Sequence, residues 1–281
     1  MLELKNIYKT FGDKKVLQGV NLLIPEHKIY GFVGKNGAGK TTTMKIILGL
    51  LKPDEGEVFV NGQPVVYGNT STNQAIGFLP DVPEFYGFMT AREYLHFSGE
   101  VCKMDKKDCF ERTEMLLNLV GLSDEKHKIK GYSRGMKQRL GIAQAMLHRP
   151  KLLICDEPTS ALDPIGRKAV LDILTRAVTQ EDTTVIFSTH ILSDVEHICD
   201  EVALLNDGKI CYSGGIKELK DMYSRRGYVI ELSDRTLNYP NGTEEEMRRE
   251  IAQLLEKGIS FKKAELMAPS LENIFMEVVA K

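Results

Sequence analysis

Gly34-Lys35-Asn36-Gly37-Ala38-Gly39-Lys40-Thr41 stands between an apolar run at 28–33 and a helix-forming stretch at 40–50. It fits G-x-x-x-x-G-K-[ST] at every required position, and a strand before it with a helix after it is the context in which such a loop cradles phosphate. Glycines let backbone N–H groups curl around phosphate oxygens. Lys40 adds a point charge and Thr41 a hydroxyl for Mg²⁺, and the N-terminus of the following helix, which runs on through Thr42, favours an anion. The loop and Thr42 are therefore the candidate nucleotide contacts. A glycine-rich turn that merely happened to contain Lys-Thr would have no reason to sit at a strand–helix junction.

A second apolar strand, 152–155, ends in Asp156-Glu157. Its carboxyl end carries Asp156 to the phosphate site, where it can hold Mg²⁺ through water, and Glu157 can polarise the attacking water. Phosphoryl transfer needs mainly this, neutralised oxygens and an oriented nucleophile. Read blandly, these are two loop acids after a strand. That reading leaves the phosphate loop upstream and His190 downstream unrelated.

Around these segments the pattern is α/β. Alternation at Leu2, Leu4 and Ile7, a turn at Gly12-Asp13 and a run at 16–24 predict an antiparallel pair. Further strands are expected at 57–60, 75–79 and 183–188, with a hairpin across Asp207-Gly208. Between 82 and 150 the chain turns helical. Thr90 and Glu93 form a capping box, 105–120 has Phe110, Leu116, Leu117 and Val120 at helical spacing, and Ser133 opens a helix that Pro150 must end. Asp163-Pro164 starts another helix, and a second capping box lies at Thr243–Glu246. Strands alternating with helices imply a mostly parallel sheet.

Composition narrows the class. The net charge of -2 over 281 residues, with both signs spread along the chain, gives no basic face for nucleic acid. No apolar stretch approaches the ~18 residues of a membrane span, and no leader precedes the first strand, so a cytoplasmic chain is expected. The five cysteines form no C-x-x-C pair and read as reduced and structural, with Cys102 and Cys109 half-buried on helices.

With these motifs in hand, residues from about 2 to 215 resemble the nucleotide-binding subunit of an ATP-binding-cassette (ABC) transporter. The resemblance implies an α/β P-loop NTPase core with a mostly parallel sheet, an N-terminal antiparallel β subdomain and a helical insertion over about 82–150. Residues 216–281 would form a small C-terminal α/β appendage. It implies an ATPase, with ATP and Mg²⁺ as ligands and Lys40, Glu157 and the switch histidine His190 as catalytic groups. Phe11 stands where the family stacks an aromatic on adenine. Tyr132-Ser133-Arg134-Gly135-Met136 occupies the signature, and Ser160-Ala161-Leu162-Asp163 the loop after Walker B. Taken singly, Phe11 would be a core aromatic, Ser133 a helix cap and His190 a surface histidine. Their fixed order is what carries the resemblance.

In the family Ser133 and Gly135 face the γ-phosphate on the opposite subunit, which implies a head-to-tail dimer of this chain or of a closely related ATPase subunit. A separate transmembrane permease would carry the cargo. Two departures matter. Asp81 stands where the family has a metal-touching glutamine, and keeps an oxygen donor for a hard cation. Arg134 and Met136 replace a glycine and a glutamine, in a form resembling the branch that serves multidrug and antibiotic exporter permeases of the ABC-2 type. The aromatic segment at 81–89 reads either as a permease docking patch or as a cap on the helical block. Ribosome-acting and chromosome ABC proteins resemble the chain less, since it has one cassette and no sustained heptad run.

Overall fold

The computed structural model describes residues 1–223, 227–240, 242–266 and 270–280. Apolar alternation makes β1 (Leu2–Phe11) and β2 (Lys14–Ile24) half-buried, and they pair antiparallel from Leu2↔Ile24 to Phe11↔Lys14. Next come β3 (Ile29–Gly34) and α1 (Lys40–Ile47). α1 is three residues shorter than the sequence suggests. Gly49 turns left-handed at φ +66°, and the N–H groups of Leu50 and Leu51 fold back onto the Lys45 carbonyl. β4 (Glu55–Val60) and β5 (Gln63–Pro64) complete a four-stranded antiparallel sheet ordered β2-β1-β4-β5.

After β6 (Ile76–Leu79) the chain leaves the sheet for three helices, α2 (Ala91–Val101), α3 (Lys106–Leu119) and α4 (Arg134–Met146). The Thr90–Glu93 capping box is formed in both directions, an arrangement typically stabilising by ~1 kcal/mol. Helical spacing misplaces one face. Phe110 is 55% exposed, and the buried stripe of α3 is Cys109, Arg112, Thr113, Leu116 and Leu117. A charged residue can occupy that stripe because the two terminal nitrogens of Arg112 donate to Glu181 at 2.6 Å and to the Met146 carbonyl at 2.9 Å, although its buried Nε has no partner among the described residues. The cysteines split likewise, Cys109 buried and Cys102 exposed.

β7 (Leu152–Asp156), α5 (Pro164–Glu181), β8 (Thr184–Thr189), α6 (Leu192–Ile198), β9 (Glu201–Asn206) and β10 (Lys209–Gly215) follow. The second sheet is ordered β10-β9-β3-β8-β7-β6, and β9, β3, β8, β7 and β6 run parallel. β3, β7 and β8 are buried at every residue, as expected of strands covered on both faces. One apolar core, including Ile7, Ile24, Phe32, Met44, Ile154 and Ile186, spans both sheets.

This topology builds the site. Ligands of open parallel sheets bind in the crevice beyond the carboxyl ends of the strands. Here the ends of three neighbours, β3, β8 and β7, deliver the phosphate loop, His190 and Asp156-Glu157 side by side.

The chain divides into two units, Met1–Ser213 and Gly214–Lys281. The second holds α7 (Ile216–Tyr223), β11 (Tyr228–Leu232), β12 (Thr236–Tyr239), α8 (Glu244–Glu256), β13 (Phe261–Leu266) and α9 (Leu271–Ala280). Its antiparallel sheet, ordered β12-β11-β13, packs Tyr228, Ile230 and Leu232 with Leu254 of α8. The Thr243–Glu246 capping box starts α8. Among the described residues no helix is long and apolar enough to cross a membrane.

Candidate nucleotide-binding site

Gly39 caps α1 at φ +112°, where a Cβ would lie 2.7 Å from Leu17 Cδ2 and 3.0 Å from the Val16 carbonyl. No other residue fits both the conformation and the space. The loop wraps around Lys40, which is 6% exposed and donates from Nζ to the Gly34 carbonyl at 2.7 Å and the Lys35 carbonyl at 3.4 Å. The same ammonium stands 3.2 Å from Glu157 Oε1 as an ion pair, off the hydrogen-bond direction, so that buried oxygen accepts no hydrogen bond.

A second set of contacts ties the loop to β7 and β8. Thr41 Oγ1 donates to Asp156 Oδ2 at 2.8 Å, and Ser188 Oγ donates to Asp156 Oδ1 at 2.5 Å. Ser188 Oγ accepts in turn from the Glu157 N–H at 3.0 Å. Glu157 itself is left-handed, at φ +48°. Such a backbone costs about 1–3 kcal/mol at a non-glycine residue and persists only where neighbours over-determine it. His190 Nδ1 lies 2.9 Å from Glu157 Oε2. Lys40, Glu157 and His190 thus form one continuous contact chain beside the Thr41–Asp156 pair.

Lys40, Thr41 and Glu157 border a cavity of about 590 Å³, within the range of small-molecule sites, whereas Asp156 and His190 stand behind them and do not line it. Asn36, Gly37, Gly39, Thr41 and Thr42 line it from the loop, and Phe11, 49% exposed, from the end of β1. Gly34, Lys35 and Ala38 do not line it. The first two give carbonyls to Lys40, and Ala38 is buried at 8% exposure. Lys14 and Val16 line it without any motif to mark them, although they follow Phe11 across a two-residue turn. Ser188 likewise carries no local signal of its role, one strand away from the acids it holds.

Asp81 faces the same cavity. Burial pushes its carboxyl above the usual range. Arg134, 3.7 Å away, opposes that rise, and the nearby charges of Asp156 and Glu157 add to it. The donors here are hard oxygens, from Thr41, Asp156 and Asp81, which suit Mg²⁺. Among the described residues no cluster of three or more His, Cys, Asp or Glu forms a metal site.

Ser133, Gly135 and Asp163 do not line this cavity. Ser133 caps α4, accepting from the Met136 N–H at 3.2 Å, and Asp163 caps α5, accepting from the Gly166 N–H at 2.8 Å. A Cβ on Gly135 would stand 3.9 Å from Leu162 Cδ2, so the signature turn lies against the loop leading to Asp163.

The profile of the family described as "ABC transporter" matches residues 17–160. An uncharacterized ABC transporter ATP-binding protein of Bacillus subtilis, YxlF, is 35% identical over 99% of this chain and 99% of its own length. The bacitracin transport ATP-binding protein BcrA of Bacillus licheniformis is 37% identical over 83% of this chain and 76% of its own. A dimeric ATP-binding cassette solved in a post-hydrolysis state with ADP and phosphate superposes with a TM-score of 0.68 at 26% identity, over 77% of this chain and 99% of the other. A phosphate loop, two carboxylates and a histidine meeting at adjacent strand ends accord with these likenesses, and the chain belongs to the ABC transporter family as an ATP-binding, ATP-hydrolysing subunit.

Proposed function

We propose that this subunit energises export through a separate transmembrane permease, closing as a homodimer on two Mg-ATP molecules at the cytoplasmic face of the membrane. The observation that carries the reading is the Lys40–Glu157–His190 chain lying beside Thr41–Asp156. Lys40 and the loop N–H groups hold the phosphates, and Glu157, oriented by His190, polarises water. Thr41 and Asp156, with Asp81 beside them, would hold Mg²⁺, which offsets charge on the phosphate oxygens. Phe11 offers an exposed ring to the adenine. The likeness to BcrA, a bacitracin transport protein, favours an antibiotic-type cargo. Co-expression with a candidate permease, followed by cargo-stimulated phosphate release in vesicles, tests the assignment. Turnover indifferent to every membrane partner would count against it.

Ser133 and Gly135 lie outside the cavity that holds Lys40, which supports their use by a second copy. The N-terminus of α4 favours a γ-phosphate there. Ser133→Arg is therefore expected to leave ATP affinity of the isolated monomer near normal while lowering hydrolysis at least tenfold, an effect of ~1.4 kcal/mol. Binding and turnover measured on the same preparation check this. Collapse of monomer affinity would mean that Ser133 serves its own site.

The aromatic loop is the candidate permease surface. Tyr86 is 52% and Phe88 68% exposed, whereas Phe85 packs edge-on to Tyr94 with centroids 5.0 Å apart. Tyr86 also meets Phe97 at 5.7 Å beside a cavity of about 690 Å³ that reaches Gln144 and His148. Half-exposed aromatics around a concavity are the anatomy of an interface centre. Tyr86→Ala is expected to keep ATPase activity and melting temperature while weakening permease recovery by up to about 2 kcal/mol. Pull-down and thermal melting of the same variant decide between docking and core packing.

A further inference from the structure

Asp194 is a charged residue with no role in the site described so far. It lies in the first turn of α6, is 2% exposed, and both its carboxylate oxygens accept short hydrogen bonds. Thr159 Oγ1, itself buried, donates to Oδ2 at 2.6 Å, and Arg167 Nε donates to Oδ1 at 2.5 Å. A terminal nitrogen of Arg167 reaches Ser193 Oγ at 2.7 Å. A charge this buried is a net burden to a fold unless its partners are held in place, so what those partners belong to matters.

Thr159 comes two residues after Glu157, at the start of the loop that runs to Asp163. Arg167 lies just beyond that loop, with its N–H donating to the Asp163 carbonyl at 2.9 Å. Asp194 comes four residues after His190. One carboxylate therefore fastens both ends of the 158–163 loop to α6, the helix that begins two residues after His190. The anchor for that element is β3, where the absent side chain of Gly31 makes room for Val195; a Cβ there would lie 2.8 Å from Val195 Cγ1. Within the loop Ala161 is left-handed at φ +53°, and Leu162 stands against Gly135. A shift of the loop would thus pull on α6, and a shift of α6 would move His190 relative to Glu157.

We infer that Asp194 is a positioning residue for hydrolysis, locking the Asp163 loop to His190 through Thr159 and Arg167 so that the His190–Glu157 contact forms only when that loop is seated. The inference rests on the roles proposed above for Glu157 and His190. Asp194 neither lines the nucleotide cavity nor touches Glu157, so its effect on hydrolysis is relayed through the 158–163 loop and the turn before α6 that carries His190.

A double-mutant cycle tests this, with single-turnover phosphate release from Mg-ATP measured below the melting temperature of each variant. Asp194→Asn is expected to lower the rate about tenfold with ATP affinity changed less than about twofold, since a small displacement of a positioned group is costly. In a His190→Ala background the same change is expected to cost less than about twofold, because the two residues act as one unit. Full turnover in folded Asp194→Asn overturns the inference. So does an undiminished tenfold loss in the His190→Ala background, which would mark Asp194 as a purely structural ion pair. If Asp194→Asn does not fold, Thr159→Val, which removes one donor and no charge, enters the same cycle. Its expected loss is about threefold, shrinking in the His190→Ala background, and full turnover or an undiminished loss overturns the inference as before. Wild-type turnover in His190→Ala alone would overturn the underlying reading instead, independently of Asp194.

Discussion

Glu157→Gln is expected to bind Mg-ATP as tightly as the parent protein and to release phosphate at least about a hundredfold more slowly, the lower range for loss of a positioned general base. Glutamine keeps the volume and the backbone conformation at φ +48°. It loses the negative charge that faces Lys40 at 3.2 Å and His190 at 2.9 Å. A neutral amide can still fill the space but cannot draw a proton from water. Binding would be read by calorimetry and turnover by phosphate release. Near-parental turnover would remove Glu157 from the chemistry.

Lys40→Ala is expected to weaken Mg-ATP binding by roughly a hundredfold or more and to abolish detectable turnover. A hydrogen bond to a charged group contributes about 1.5–3 kcal/mol, and Lys40 is the buried cation around which the loop is folded. Its removal strands the Gly34 and Lys35 carbonyls, which accept from Nζ at 2.7 and 3.4 Å. It also leaves the buried Oε1 of Glu157 without its counter-charge. The loop that should present N–H groups to phosphate would then lose its internal support. Unchanged affinity and turnover in this variant would refute the phosphate-loop assignment.

Local pattern accounts for much of what is seen. The 34–41 loop, the burial of β7 and the caps at Thr90, Ser133, Asp163 and Thr243 are short-range features, each set by a few neighbouring residues. Mixed α/β architecture followed from strands alternating with helices. Contacts made by strand order are not legible in this way. Ser188 holds Asp156 because β8 lies between β3 and β7, and nothing in the local residues of any of the three specifies that neighbour relation. Lys14 enters the cavity through a turn whose direction is set by pairing with β1. Arg112 takes a place in the buried stripe of α3 through a partner 69 residues away, and Phe110 lies outside that stripe. Asp194 has the sequence signature of an ordinary helix-start acid, and only the packing of α5 and the 158–163 loop against it gives it another part.

Asp81 illustrates another kind of gap. The sequence marks it as a replacement for a glutamine, but only the fold brings it to a cavity where burial and two neighbouring carboxylates raise its proton affinity against the pull of Arg134. Its charge is therefore tied to what else occupies that cavity, in a way no local motif encodes.

In the proposed mechanism two copies of this chain close around ATP, each completing the other's phosphate site with Ser133 and Gly135. Sedimentation of Glu157→Gln in Mg-ATP and in Mg-ADP tests that closure, because this variant should hold ATP without consuming it. The expected result is a dimer in Mg-ATP and a monomer in Mg-ADP, with the dimer lost when Ser133→Arg is added. A protein that stayed monomeric with its sites saturated by Mg-ATP would contradict it.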